Sequence, residues 1–74
     1  MNLTIFPVGG EVIKDKVRKS GLIWEGTPDN VNALQWFGES GWIEYMTTPS
    51  IPITELPVWA LNAVEAFDKA EIKA

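Results

Sequence analysis

The sequence predicts a small α+β domain in which a small antiparallel β-sheet, a meander of short hairpins, is packed by one C-terminal α-helix. Aromatic-rich runs on both sides of a Gly-x-x-Gly turn at Gly38–Gly41 are the first observation, because such runs favour paired strands. The second is a set of apolar residues at helical spacing after Pro57. The third is length, since 74 residues allow one domain, residues 1–74.

Three short segments precede the central hairpin. Asn2–Phe6 is a β-prone run that we predict to be a strand at the sheet edge. Glu11–Lys19 is predicted to be a second small hairpin that reverses at Asp15-Lys16. Leu22–Trp24 is a further candidate strand, and residues 26–30 after it have the composition of a loop.

The register of the central hairpin follows if Gly38–Gly41 is the turn. Phe37 would then pair with Trp42, and Trp36 with Ile43. Because side chains alternate across a strand, the predicted core face holds Leu34, Trp36, Ile43 and Tyr45. The other face would hold Gln35, Phe37, Trp42 and Glu44.

The β-rich part is predicted to cover residues 1–47, followed by an extended linker at 48–55, where prolines disfavour helix. A helix is predicted at about 57–71, with Pro57 suited to its first position. The residues that define its apolar face are Ala60, Val64, Phe67 and Glu71, with Leu56, Trp59, Ala63 and Ala70 beside them. Docked on the sheet, that face closes a two-layer domain.

Composition narrows the function classes. Cys and His are absent, which removes disulfides and the ligands most used for zinc, copper and iron. The serines lie in no nucleophile elbow, and a chain this short leaves little room for a substrate pocket. We therefore expect no catalytic residue, no cofactor, no metal site and no small-molecule substrate.

The formal net charge of −4 argues against binding of nucleic acid. Four of the six cations nevertheless cluster at Lys14, Lys16, Arg18 and Lys19. This basic stretch fits a solvated strand edge or a small positive patch for an acidic partner. No apolar run approaches ~18 residues and the start does not resemble a signal peptide. We expect no membrane association and a soluble chain made in the cytoplasm.

The candidate protein-binding residues are Phe37, Trp42, Gln35 and Glu44. The two aromatic residues are either a staple at the end of the hairpin or the exposed part of a binding surface, with the amide and carboxylate as its polar rim. The edge strand predicted at Asn2–Phe6 offers a second route, by pairing with a strand of a neighbouring subunit.

The run Ala33-Leu34-Gln35-Trp36, then Gly38, Gly41 and Ile43-Glu44-Tyr45, and finally Leu56-Pro57-x-Trp59-Ala60, resembles a module of small proteins and tail-fibre-associated proteins of tailed bacteriophages. Those proteins have an Ala-x-x-Trp strand, a Gly-containing turn, a Gly-x-Ile/Val-Glu-Tyr/Phe strand and a Leu-Pro-x-Trp helix. Many carry Asp-Gly where this chain has Asp15-Lys16.

The resemblance implies a phage-encoded accessory protein. We expect a noncatalytic virion protein, structural or accessory, at the tail or tail-fibre attachment region, made in the cytoplasm of the bacterial host. It would contact other phage structural proteins or further copies of itself. The alternative is a small early phage protein that binds and inhibits a host enzyme such as a polymerase or nuclease, with its negative face as a decoy for nucleic acid.

Overall fold

The computed structural model describes residues 1–70. They form one antiparallel sheet of six strands in the order β3-β2-β1-β4-β5-β6, with helix α1 against one face. The elements are β1 Asn2–Phe6, a 3-10 turn Pro7–Gly9, β2 Glu11–Lys14, β3 Val17–Lys19, β4 Val31–Phe37, β5 Gly41–Tyr45, β6 Ile51–Ile53 and α1 Val58–Lys69. The predicted α+β class is therefore confirmed.

The prediction that β1 is an edge strand is wrong. Ile5 pairs with Val12 on one side and with Leu34 on the other, so β1 lies in the middle of the sheet. A short uncharged strand can lie at the edge or in the middle of a sheet. The second partner of β1 is β4, which is distant in sequence, so local patterns do not reveal the pairing. Both backbone edges of β1 are occupied, which excludes the predicted pairing of Asn2–Phe6 with a neighbouring subunit.

The true edges are β3 and β6, which have three residues each. Short edge strands offer few free backbone groups to another chain. Pro52 in β6 has no N–H, and Lys19 and Arg18 in β3 are charged. Both edges are therefore protected against strand addition.

The hairpin of β2 and β3 is confirmed, with its reversal at Asp15-Lys16. Both residues have positive φ, 48° and 74°, as a type I′ turn requires. Asp15 also exchanges two bonds with the start of β1: its N–H donates to the Asn2 carbonyl (2.8 Å), and its Oδ1 accepts the Asn2 N–H (2.9 Å). Aspartate tolerates this conformation, whereas Lys16 adopts it at the position where a type I′ turn favours glycine.

The candidate strand Leu22–Trp24 is wrong, because the segment is a loop that joins no strand. Leu22 and Trp24 are half-buried against the core and Ile23 is exposed, so the alternation is real but arises from packing of a loop. The Leu22 N–H donates to the Gly10 carbonyl (2.9 Å). A side chain on Gly10 would overlap the Leu22 carbonyl, which explains the glycine.

The register of β4 and β5 differs from the prediction by two residues. Leu34 pairs with Ile43, and Trp36 with Gly41. The loop has only two residues, Gly38 and Glu39, closed by the Phe37 N–H on the Ser40 carbonyl (2.8 Å); Gly38 has φ 87°, as a type II′ turn requires. Since a shift of two residues preserves alternation, the predicted faces survive.

The predicted core face is largely confirmed. Leu34, Trp36 and Ile43 are buried in the core cluster, and Tyr45 packs half-buried against it. An irregularity in the pairing between Val31 and Ala33 moves Val31 to the covered side with Tyr45, although alternation alone would place it with Ala33 on the opposite face.

Within the linker predicted at 48–55, Ile51–Ile53 pairs with β5 as strand β6, so the sheet extends beyond the predicted end of the β-rich part at residue 47. Helix α1 begins at Val58, with Pro57 as its N-cap, and ends at Lys69, because Ala70 is extended. The predicted end at residue 71 and the position of Glu71 on the apolar line lie outside the described residues. The buried helix residues are Trp59, Ala60, Ala63 and Phe67, which matches the predicted apolar face.

Candidate protein-binding face

The face of the sheet opposite α1 has a continuous row of side chains that crosses all six strands. Successive strand partners define it: Arg18 pairs with Ile13, Ile13 with Thr4, Thr4 with Gln35, Gln35 with Trp42, and Trp42 with Pro52. By alternation the same face holds Asn2 and Phe37 on one side of the row. Glu11, Phe6, Ala33 and Glu44 lie on the other side. We call this surface the open face.

Phe37 and Trp42 are two exposed aromatic side chains of the open face, where Phe6 is exposed as well. Their ring centroids lie 5.3 Å apart with planes tilted by 41°. They are diagonal neighbours rather than the directly opposed pair that was predicted, because Trp42 pairs with Gln35. Phe37 is 57% exposed and Trp42 36%. The contact between the rings fits the staple, and their exposure fits the binding surface.

The polar side chains of the open face bind one another. Thr4 Oγ1 donates to Gln35 Oε1 (2.8 Å), and Trp42 Nε1 donates to Glu44 Oε2 (2.8 Å). At the other end of the row, Arg18 forms an ion pair with Glu11 (2.7 Å). The structure thus brings all four predicted site residues together on one surface. Hydrogen bonds and the ring contact connect each of them to a neighbour on that surface.

The basic stretch does not act as one unit, because alternation divides it between the two faces. Lys14 and Lys19 point to the helix side: Lys14 pairs with Asp68 (2.7 Å), and Lys19 donates to the carbonyls of Phe67 (2.6 Å) and Ala70 (2.8 Å). Lys19 therefore caps the C-terminus of α1, where the carbonyls lack helical partners.

The Lys19 ammonium also lies 4.2 Å from the centroid of the Phe67 ring, a cation–π contact. Sequence reasoning missed this role. The alternation of the hairpin could have assigned Lys14 and Lys19 to the core side, but no local pattern indicates that a helix ends above them.

A metal cluster or a cleft would be an alternative kind of site. Within residues 1–70 no group of three or more acidic side chains could hold a metal ion. A cleft of about 310 Å³ lies on the helix side, lined by Ile23, Trp24, Glu25, Asn62, Glu65, Ala66 and Lys69. In it, the hydrogen bond and charge of Glu65 raise the pKa of Lys69. A raised pKa keeps the amine protonated, which does not suit a base or nucleophile.

No helix among residues 1–70 combines the length and the apolar character needed to cross a bilayer. No family model, curated protein or solved structure matches the chain. The resemblance to the phage module therefore stays a prediction. The open face is the feature from which we infer function.

Proposed function

We propose that this protein is noncatalytic and acts through protein–protein contacts made by the open face. The observation on which this depends is the exposed pair Phe37 and Trp42, placed on a sheet face that α1 does not cover. Aromatic side chains of this kind dominate the energetics of many interfaces, since they offer a large area with few rotatable bonds.

The paired polar groups make the open face suitable for burial by another protein. A partner that covers Gln35 or Glu44 would bury a group that already has a hydrogen bond within the face. Burial of an unpaired polar group is costly, and ordering of a mobile side chain adds to that cost. Both costs are reduced at Gln35 Oε1 and Glu44 Oε2, the atoms that already accept hydrogen bonds within the face.

We further propose that the partner belongs to a tailed-phage particle, with the protein a structural or accessory component of the tail or tail-fibre attachment region. The support is the resemblance of Ala33–Tyr45 and Leu56–Ala60 to the phage module. The glycines of that pattern have structural roles here, since Gly38 has positive φ and a side chain on Gly41 would overlap the Gln35 carbonyl.

Inhibition of a host enzyme, through an acidic surface that imitates nucleic acid, has less support. Such a decoy needs several carboxylates free to meet the cations of the enzyme. On the open face Glu11 is paired with Arg18, which leaves Glu44, beside the neutral Trp42 indole, as a single negative charge. The face is therefore mixed in charge and partly apolar rather than strongly acidic.

Mass spectrometry of purified phage particles tests whether the protein is a component of the virion. A virion component should be present at a fixed ratio to the tail proteins, and its absence from particles would overturn the virion role.

The role of the open face is tested with Phe37→Ala and Trp42→Ala, which should lower incorporation into particles. Val58→Ala is the matched control, because Val58 is 74% exposed but lies on α1. Equal incorporation of all three would contradict the proposed face.

A further inference from the structure

We propose that the open face binds a second copy of this chain, in a two-fold arrangement in which two sheets stack face to face. This inference rests on the proposed function of the open face and names its partner. The axis would lie between the sheets, parallel to the strands. Such a rotation reverses the strand order of the second copy, so β3 faces β6, β2 faces β5 and β1 faces β4.

The central row is complementary to itself under that rotation. Ile13 would meet Trp42 of the second copy, and Thr4 would meet Gln35. Arg18 would lie over Pro52, next to the Trp42 ring and the Glu44 carboxylate. An arginine stacks well on an aromatic ring and pairs with a carboxylate. Each contact occurs twice, because the axis relates the two copies.

The residues beside the row fit the same arrangement in size. Phe6 would lie over Ala33, whose small side chain is buried in its own chain and leaves room for the ring, and Phe37 would face Asn2. The arrangement also brings two carboxylates close together. Glu11 would approach Glu44 of the second copy, but Arg18 already binds Glu11 at 2.7 Å and lies where it can bind both.

A two-fold axis across the strands, the other simple way to stack the sheets, is less favourable. It would place β3 over β3 and β5 over β5, so that Arg18 approaches Arg18 of the second copy. Like charges that face one another oppose association. The distribution of charge over the open face therefore selects the axis parallel to the strands.

The dimensions indicate a weak dimer. Strands about 4.8 Å apart with a rise of about 3.3 Å per residue make this six-stranded face roughly 24 Å by 17 Å. Contact over that area covers on the order of 800 Å² in total, less than the roughly 1,200 Å² of stable interfaces and within the range of weak, transient ones. We expect a dissociation constant of roughly 10 to 100 µM, so the dimer forms where the local concentration is high.

Sedimentation equilibrium from about 1 µM to about 1 mM tests the dimer directly. Arg18→Glu should weaken it at least about tenfold, because three carboxylates then meet at each end of the interface. The double variant Arg18→Glu with Glu44→Arg exchanges the charges across the interface and should restore association. Lys69→Glu is the charge-matched control, because Lys69 lies on α1, and it should dimerise like the unaltered protein.

Four outcomes decide the inference. Concentration-dependent dimers that are lost in Arg18→Glu and restored in the double variant would support it. A monomer at all concentrations would overturn it, as would a dimer unaffected by Arg18→Glu. If the protein is monomeric while Phe37→Ala still prevents incorporation into particles, self-association fails and the proposed function of the face stands.

Discussion

The two faces of this sheet contain apolar side chains of similar size but differ in what lies between them. On the covered face, which we define by Leu3, Ile5, Leu34, Trp36 and Ile43, large apolar residues are contiguous and α1 packs on them. On the open face, Phe37 and Trp42 alternate with amide, hydroxyl and charged groups. The presence of aromatic residues therefore does not identify the core; their neighbours on the same face do.

Charges are divided in the same way as apolar groups. On the covered side, Lys14 and Lys19 hold the last turn of α1 by an ion pair, hydrogen bonds and contacts with the Phe67 ring. On the open side, the partner of Arg18 among residues 1–70 is a neighbouring strand residue, Glu11. Cations that are close in sequence thus have different roles: Lys14 and Lys19 fix the helix, and Arg18 is available to a partner.

Replacement of Trp36 should have the largest effect on stability. Trp36 is 7% exposed on the covered face, so Trp36→Ala removes a large buried side chain. We expect a loss of about 3–5 kcal/mol, enough to unfold a domain of this size. Thermal and urea denaturation followed by circular dichroism measure it. Trp42→Ala is the matched control on the open face, and cooperative melting of Trp36→Ala would show that the two faces are less different than we infer.

The face assignment was predictable from the sequence and the strand order was not. Alternation places Trp36 and Phe37 on opposite faces whatever the register, so an error of two residues in the register leaves the face assignment unchanged. The position of β1 depends on its pairing with β4, a contact between distant residues that no local pattern encodes. The prediction of a strand at Leu22–Trp24 was wrong for a related reason, since the side chains of a loop that packs on a core can alternate between buried and exposed like those of a strand.

The candidate site was predictable in part. Gln35, Phe37, Trp42 and Glu44 were placed on one face by alternation, and the structure brings them together. The extension of that face to Thr4, Ile13 and Arg18 was missed, because it requires the order of all the strands. Knowledge of which strands are neighbours is therefore what turns a pair of aromatic residues into a surface.

Replacement of Lys19 should have the second-largest effect. Lys19→Ala removes two hydrogen bonds to the end of α1 and the contact with the Phe67 ring. A cation at this position stabilises the helix dipole, so we expect a loss of about 1–2 kcal/mol. Lys16→Ala is the control, because Lys16 is exposed at the hairpin turn, and it should change the free energy of unfolding little. Equal effects of the two variants would contradict the division of the cations.

Replacement of Phe37 should cost less than either. Its ring contacts Trp42 but is 57% exposed, so Phe37→Ala should destabilise the domain by no more than about 1 kcal/mol. Urea denaturation measures this cost beside that of Trp36→Ala. A loss as large as that of Trp36→Ala would identify the aromatic pair as a structural staple and remove the main support for a contact surface.

We expect that removal of metal ions by a chelator changes neither the stability nor the association of the protein. The carboxylates of the open face are bound by protein groups, Glu11 by Arg18 and Glu44 by the Trp42 indole. A hard cation such as Ca²⁺ needs six to eight oxygen ligands, far more than these two separated side chains provide. Addition of EDTA should leave both the melting temperature and the sedimentation behaviour unchanged, with EDTA saturated with Ca²⁺ as the control. A drop in either on chelation would mean that a carboxylate site for a cation has been missed.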